Sequence, residues 1–155
     1  MKVKNEYQQW FDTVEITDKS ELDHLAAQAT TSAYQKIDCL ECAKCCLTTV
    51  TTFTESDIQS AAKSLAMSSK NFKKQYLFMD LDGNYTTQNV PCPFLDLDDH
   101  KCKIYDNRPH ACRSFPHTHK DHFLTRKRVH IENAKFCGIT TYVLDTLKTN
   151  FTKTR

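Results

Sequence analysis

The sequence predicts a mainly α fold: a small single domain with an irregular, cysteine-rich centre and one short hairpin. Three observations point there. Apolar residues recur at helical spacing toward both ends of the chain. Between 86 and 120 that periodicity fades, and all four prolines gather there as Pro91, Pro93, Pro109 and Pro116. Eight cysteines are present, seven of them between 39 and 112. A length of 155 residues suits one domain of ordinary size. Leu, Ile, Val and Phe make up only about a fifth of it, so the apolar core is expected to be thin.

Taken in order, Tyr7, Trp10, Phe11 and Val14 fall at spacings of three and four, which predicts a short amphipathic helix over 4–14 with the aromatics in the core. Asp18 or Ser20 caps a second helix over 19–36, with Leu22, Leu25, Ala26, Ala29, Ala33 and Ile37 on its apolar side. The β-branched run Leu47–Phe53 reads as one extended segment. Thr54, followed by Glu55 and Asp57, opens a helix over 55–67, and Ser68 or Ser69 caps another through Leu77. Asp82-Gly83-Asn84 is a turn. Asp96 to Lys101 reads as a turn between two short extended pieces, which also accounts for the acidic group Asp96, Asp98 and Asp99. A last helix spans 139–149. The chain thus divides into N-terminal helices (1–36), a cysteine-bearing region (37–116), and a basic loop with a C-terminal helix (117–155).

Several functional classes are excluded at this level. Gly83 and Gly138 are the only glycines, too few for a P-loop or a dinucleotide fingerprint. No apolar run approaches a membrane span, and the polar start Met1–Glu6 lacks the apolar segment of a secretory signal, so a cytoplasmic location is expected. In that compartment thiols stay reduced, which turns the reading of eight cysteines away from disulfides and toward metal ligation.

The spacing supports ligation. Cys39, Cys42 and Cys45 form a Cys-x-x-Cys-x-x-Cys run, and Cys46 follows directly. Two intervening residues allow a tight turn that aims both sulfurs at one centre, and both tetrahedral zinc and iron–sulfur clusters take four such ligands. The run matches the first three ligands of a bacterial ferredoxin motif, but the nearest Cys-Pro is far downstream at Cys92-Pro93. Adjacent side chains diverge by about 100° on a helix and point to opposite faces of a strand. Cys45 and Cys46 are therefore not expected to share one mononuclear metal. Eight cysteines allow two centres of four, or one centre with further thiols beside it.

The downstream cysteines sit in Pro91-Cys92-Pro93-Phe94-Leu95 and in Cys102-Lys103-Ile104-Tyr105, followed by Arg108-Pro109-His110-Ala111-Cys112-Arg113-Ser114-Phe115-Pro116. Together with 39–46, this order resembles the YkgJ-type cysteine-cluster family of zinc- or iron-chelating proteins. The resemblance covers about 37–116, and Cys137 corresponds to a late cysteine of that family. It implies metal binding through Cys39, Cys42, Cys45, Cys46, Cys92, Cys102, Cys112 and Cys137. Flagellin lysine methylases carry a similar cluster inside a much longer chain, so their activity is not carried over.

A zinc ion with four thiolates is anionic, as is a cluster with four thiolates, and burying such a centre calls for nearby cations. Arg108 and Arg113 flank the Pro109–Cys112 turn and match the motif, so they are expected beside the thiolates. Pro109 holds Arg108 extended, and the chain turns or begins a helix there. The lysines near cysteines, among them Lys44, Lys101, Lys103 and Lys135, read as solvated. Residues 101–135 carry nine Lys or Arg against three acids, and Arg126-Lys127-Arg128 reads as a solvated face rather than a nucleic-acid site. His117, His119 and His122 read as a polar loop, and His110 is a substitute ligand at most.

The function expected is therefore a protein that holds zinc or iron, with an iron–sulfur cluster among the options. Two alternatives are an iron–sulfur or thiol-dependent enzyme (an oxidoreductase, or a transferase acting on a protein) and a structural zinc module that binds protein or nucleic acid. Neither a membrane nor nucleic acid is the favoured partner, and a protein partner is unidentified.

Overall fold

The computed structural model describes residues 2–152, with side chains described over 6–151. In chain order the elements are α1 (Lys2–Thr13), α2 (Lys19–Tyr34), α3 (Cys39–Cys42), α4 (Lys44–Thr48), β1 (Thr52–Phe53), α5 (Glu55–Ser64), α6 (Ser69–Tyr76), β2 (Leu77–Met79), β3 (Tyr85–Thr87), α7 (His110–Ser114), α8 (Lys127–Asn133) and α9 (Gly138–Thr152). Short 3-10 turns lie at Tyr105–Asn107 and Phe123–Arg126. The mainly α reading stands, with a small antiparallel sheet. The chain folds as two compact units: Met1–Asp38 with Pro116–Arg155, and Cys39–Phe115.

In the first unit the sequence's helix starts are realised by their caps. The Asp18 carboxylate accepts from the N–H groups of Ser20 and Glu21 at 2.8 and 3.1 Å, which satisfies two free donors of α2. Helix α2 buries Leu22, Ala26, Ala29 and Ala33, and small alanines let it pack closely on α9, which buries Ile139, Val143, Leu144 and Leu147. Gly138 opens α9 where an added Cβ would stand 3.3 Å from Ile37 Cδ1. Helix α1 packs on α8 and buries Tyr7, Trp10 and Phe11. The Tyr7 hydroxyl donates to Asp145 at 2.7 Å, and burial with that carboxylate drives its pKa well above the ordinary range. Asp23 accepts the N–H groups of His122 and Phe123 and so holds the loop that enters the Phe123–Arg126 turn.

The second unit is built on the sheet, ordered β1-β3-β2, all antiparallel. Strands β2 and β3 form a hairpin about the turn expected at Asp82-Gly83-Asn84, with Leu77 opposite Thr87 and Met79 opposite Tyr85. Gly83 takes a φ of +81°, which a side chain would resist, and Asp80 accepts the N–H groups of Asp82 and Asn84 across the turn. Strand β1 adds to β3 on its other edge. Behind these elements Phe53, Ile58, Ala61, Ala62, Phe72, Leu77, Phe94 and Ile104 form a buried cluster. The Phe72 and Phe94 rings stack at 5.4 Å, and Phe53 and Tyr76 pack on both. Cys92 and Cys102 lie partly buried against this cluster, so the middle of the chain has an apolar anchor of its own.

Two expectations need correction. Leu47–Phe53 is not one extended segment: α4 runs to Thr48, and only Thr52–Phe53 is strand. The Thr48 and Thr49 hydroxyls donate back to the carbonyls of Lys44 and Cys45, both at 2.7 Å, an i−4 bond that lets threonine join a helix. Helix α5 ends at Ser64 rather than 67, because Ala66 takes φ +52° and the Met67 N–H turns back to the Ala62 carbonyl, a helix stop usually signalled by glycine. Helix α7 begins at His110, where the chain was expected to turn or begin a helix after Pro109.

Candidate metal centre

Three stretches of the second unit carry thiols. The first is α3–α4. Ala43 separates the two short helices with φ +46°, a left-handed conformation that costs an alanine about 1–2 kcal/mol, while the Leu47 N–H bonds to its carbonyl. Cys39 is exposed, and Cys42, Cys45 and Cys46 are half-buried. Adjacent side chains diverge on a helix, yet the sulfurs of Cys45 and Cys46 stand only 4.0 Å apart.

The second stretch is tied to the first by main chain. The Cys92 N–H donates to the Cys46 carbonyl at 2.7 Å. Leu95 pairs with Cys102 in an antiparallel bridge, closed by Asp96 N–H to Lys101 carbonyl at 2.8 Å, as the turn expected at 96–101 requires. The third stretch is α7. Pro109 has φ −63° and ψ 159°, Arg108 before it is extended, and the helix starts at His110. Cys112 lies within α7, with the Thr51 hydroxyl 3.3 Å from its sulfur.

Charge shows which thiols share a neighbourhood. The contact with Cys46 lowers the Cys45 pKa to about 7, while the same contact, with burial, drives Cys46 far up. Burial pushes Cys92 up to about 11 and raises Cys102 and Cys112. Negative charge on one thiol raises another across the pairs Cys46–Cys92, Cys46–Cys112, Cys92–Cys102, Cys92–Cys112, Cys45–Cys102, Cys45–Cys112 and Cys102–Cys112. Five cysteines from three stretches thus form one electrostatic group. Among the described residues, no three His, Cys, Asp or Glu side chains stand in a group ready to hold a metal ion.

Arg108 and Arg113 differ in their surroundings. The Arg108 charge lowers the pKa of both Cys102 and Cys112, while its guanidinium lies over the Tyr105 ring and donates to the Tyr105 carbonyl. Arg113 instead donates to the Arg108 carbonyl and pairs with Asp57 at 3.5 Å. Lys101 and Lys103 pair with Asp99 and Asp96. His110 is exposed at the start of α7, and His117, His119 and His122 belong to the first unit. Cys137 also lies in the first unit, buried in the turn after α8 with its N–H on the Asn133 carbonyl.

Sequence reasoning missed Asp57 as a residue of this site. Its carboxylate is buried, and besides closing the capping box with Thr54 it accepts the His110 N–H at 3.0 Å. Burial alone would raise its pKa, but the Thr54 hydroxyl and N–H, the His110 N–H and the Arg113 charge outweigh burial and hold it below the usual value. The Thr54-x-x-Asp57 pattern signalled the helix start and nothing more.

The family model for CxxCxxCC, described as "Putative zinc- or iron-chelating domain", matches residues 38–138. No solved structure matches the chain. Among the described residues no helix is long and apolar enough to cross a membrane.

Proposed function

The chain belongs to the CxxCxxCC family, and on that premise we propose that Cys39, Cys42, Cys45, Cys46, Cys92, Cys102 and Cys112 form a thiolate centre for zinc or iron. The observation that carries this reading is the joining of two cysteine stretches: the Cys45 and Cys46 sulfurs stand 4.0 Å apart, and the Cys92 N–H donates to the Cys46 carbonyl at 2.7 Å. Thiolates so placed repel one another, and a divalent cation removes that repulsion by binding the charged forms. Soft sulfur donors favour zinc and iron–sulfur chemistry over magnesium or calcium.

Four sulfurs about 2.3 Å from a tetrahedral zinc lie about 3.8 Å from one another. The 4.0 Å between the Cys45 and Cys46 sulfurs is close to that edge, so both can serve one ion. Capture then draws in thiols from the other stretches. Arg108, whose charge already favours the thiolates of Cys102 and Cys112, offsets the negative charge of the loaded centre. Zinc there would cross-link the three stretches, and iron would add one-electron chemistry.

The test is metal content by mass spectrometry on protein loaded with zinc or, anaerobically, with iron. The wild type is expected to retain metal against a competing chelator. Cys92→Ser, Cys102→Ser and Cys112→Ser are each expected to weaken retention at least about tenfold. Full retention in all three variants would refute the centre.

A further inference from the structure

We propose that Asp57 is a positioning residue for Cys112, a carboxylate that fixes where this thiol stands; its purpose rests on the thiolate-centre reading, though its test does not. The side chain serves two helix starts at once. Its Oδ2 accepts the Thr54 N–H at 3.0 Å and the Thr54 hydroxyl at 2.7 Å, while the Thr54 oxygen accepts the Asp57 N–H at 3.2 Å. That exchange completes the cap of α5, and a capping box needs nothing further. Oδ1 is left for α7. It accepts the His110 N–H at 3.0 Å and lies 3.5 Å from the Arg113 guanidinium.

The arrangement is costly unless it positions something. A buried carboxylate loses its hydration, and only 6% of the Asp57 residue surface is exposed. An exposed cap would stabilise α5 equally well. Helix α7, by contrast, depends on the contact. It has five residues, too short to hold its form without tertiary ties, and its N-cap, Pro109, offers no side-chain acceptor. Asp57 grips it at both the first residue, His110, and the fourth, Arg113. Cys112 lies between those two anchors. Arg113 also donates to the Arg108 carbonyl, which straps the turn from the other side. With the Thr51 hydroxyl 3.3 Å from the sulfur, the Cys112 side chain is held between β1's approach and α7.

The experiment uses the full-length, reduced, metal-free protein. Each thiol is labelled with an iodoacetamide pulse, and its rate is read by peptide mass spectrometry. Asp57→Asn keeps the shape but turns an amide N–H₂ toward donors on one side. His110→Pro removes the N–H that Oδ1 accepts, together with the imidazole; proline is tolerated at a first helical position, and the α5 cap is untouched. His110→Ala keeps the N–H and controls for the imidazole. Cys112 alkylation is expected to rise about tenfold in Asp57→Asn and His110→Pro, the factor that matches loss of one hydrogen bond to a charged group. Cys92 and Cys102 should keep their rates in all three variants, and His110→Ala should match wild type. Because His110→Pro changes no carboxylate charge, its rise reports position rather than a shifted thiol pKa, and it decides the matter alone if Asp57→Asn fails to fold. An unchanged Cys112 rate in His110→Pro, or equal rises at Cys92 and Cys102, would overturn the proposal. A wild type that retains neither zinc nor iron would instead refute the thiolate centre and leave this result standing.

Discussion

Removing metal from the loaded protein is expected to accelerate amide exchange across 39–48 and 105–115, while the interiors of α5 and α6 stay protected. The division follows from packing. Helices α3 and α4 bury no cysteine, and none of their residues belongs to the Phe53–Ile104 cluster. Helix α7 is likewise short, buries only Ser114 among its residues, and is left to its Asp57 contacts once metal is removed. These elements lack the apolar area to hold themselves. In contrast, α5 and α6 contribute Ile58, Ala61, Ala62 and Phe72 to the aromatic cluster and need no ion. Structural zinc in small finger peptides contributes about 10–16 kcal/mol of apparent binding free energy at neutral pH, comparable with the whole stability of an ordinary domain of about 5–15 kcal/mol. Even a fraction of it governs elements held this loosely. Hydrogen exchange before and after chelation is the measurement. Equal protection of 39–48 and 105–115 in both states would show that metal does not organise them.

The second large effect is acid lability of the first unit, through His130. This imidazole is fully buried and stacked on Phe123 at 4.0 Å. Burial first, then the charges of Arg126 and His117, hold its pKa down to about 4. Unfolded, it would titrate near 6.5. Between those values the unfolded chain binds the extra proton, so stability is complete above about pH 6.5 and falls as pH drops toward 4. The slope reaches about 1.4 kcal/mol per pH unit, giving a loss of about 3 kcal/mol from this group. Urea unfolding at pH 7.5 and 4.5 should show a steeper loss for wild type than for His130→Leu, which cannot titrate. Parallel losses in the two proteins would mean that His130 is not a source of the acid sensitivity.

How far the sequence carried the fold depended on element length and caps. Helices α2, α5, α6 and α9 were legible because Asp18, Thr54 and Ser68 are strong capping residues and because the apolar positions repeat over two turns or more. Helices α3, α4, α7 and α8 run four to seven residues, too few for a period to register. The threonines of 47–53 misled for a different reason. Their hydroxyls can bond either into a helix or along a strand, and the left-handed Ala43 just upstream, invisible in an alanine, decided for helix at 44–48. At the site, the cysteine spacing named the thiols, but their grouping depends on tertiary ties such as Cys92 N–H to the Cys46 carbonyl. Asp57 was hidden because its second partner lies 53 positions away. The sulfurs of Cys45 and Cys46 were expected to part, yet they stand 4.0 Å apart.

X-ray absorption at the zinc edge of the zinc-loaded protein tests the central claim most directly, because it reads the donor atoms themselves. A thiolate centre predicts a first shell of sulfur alone, about 2.3 Å from the metal. A shell dominated by nitrogen or oxygen at about 2.0–2.2 Å would place the ion on histidine or carboxylate side chains and contradict the account.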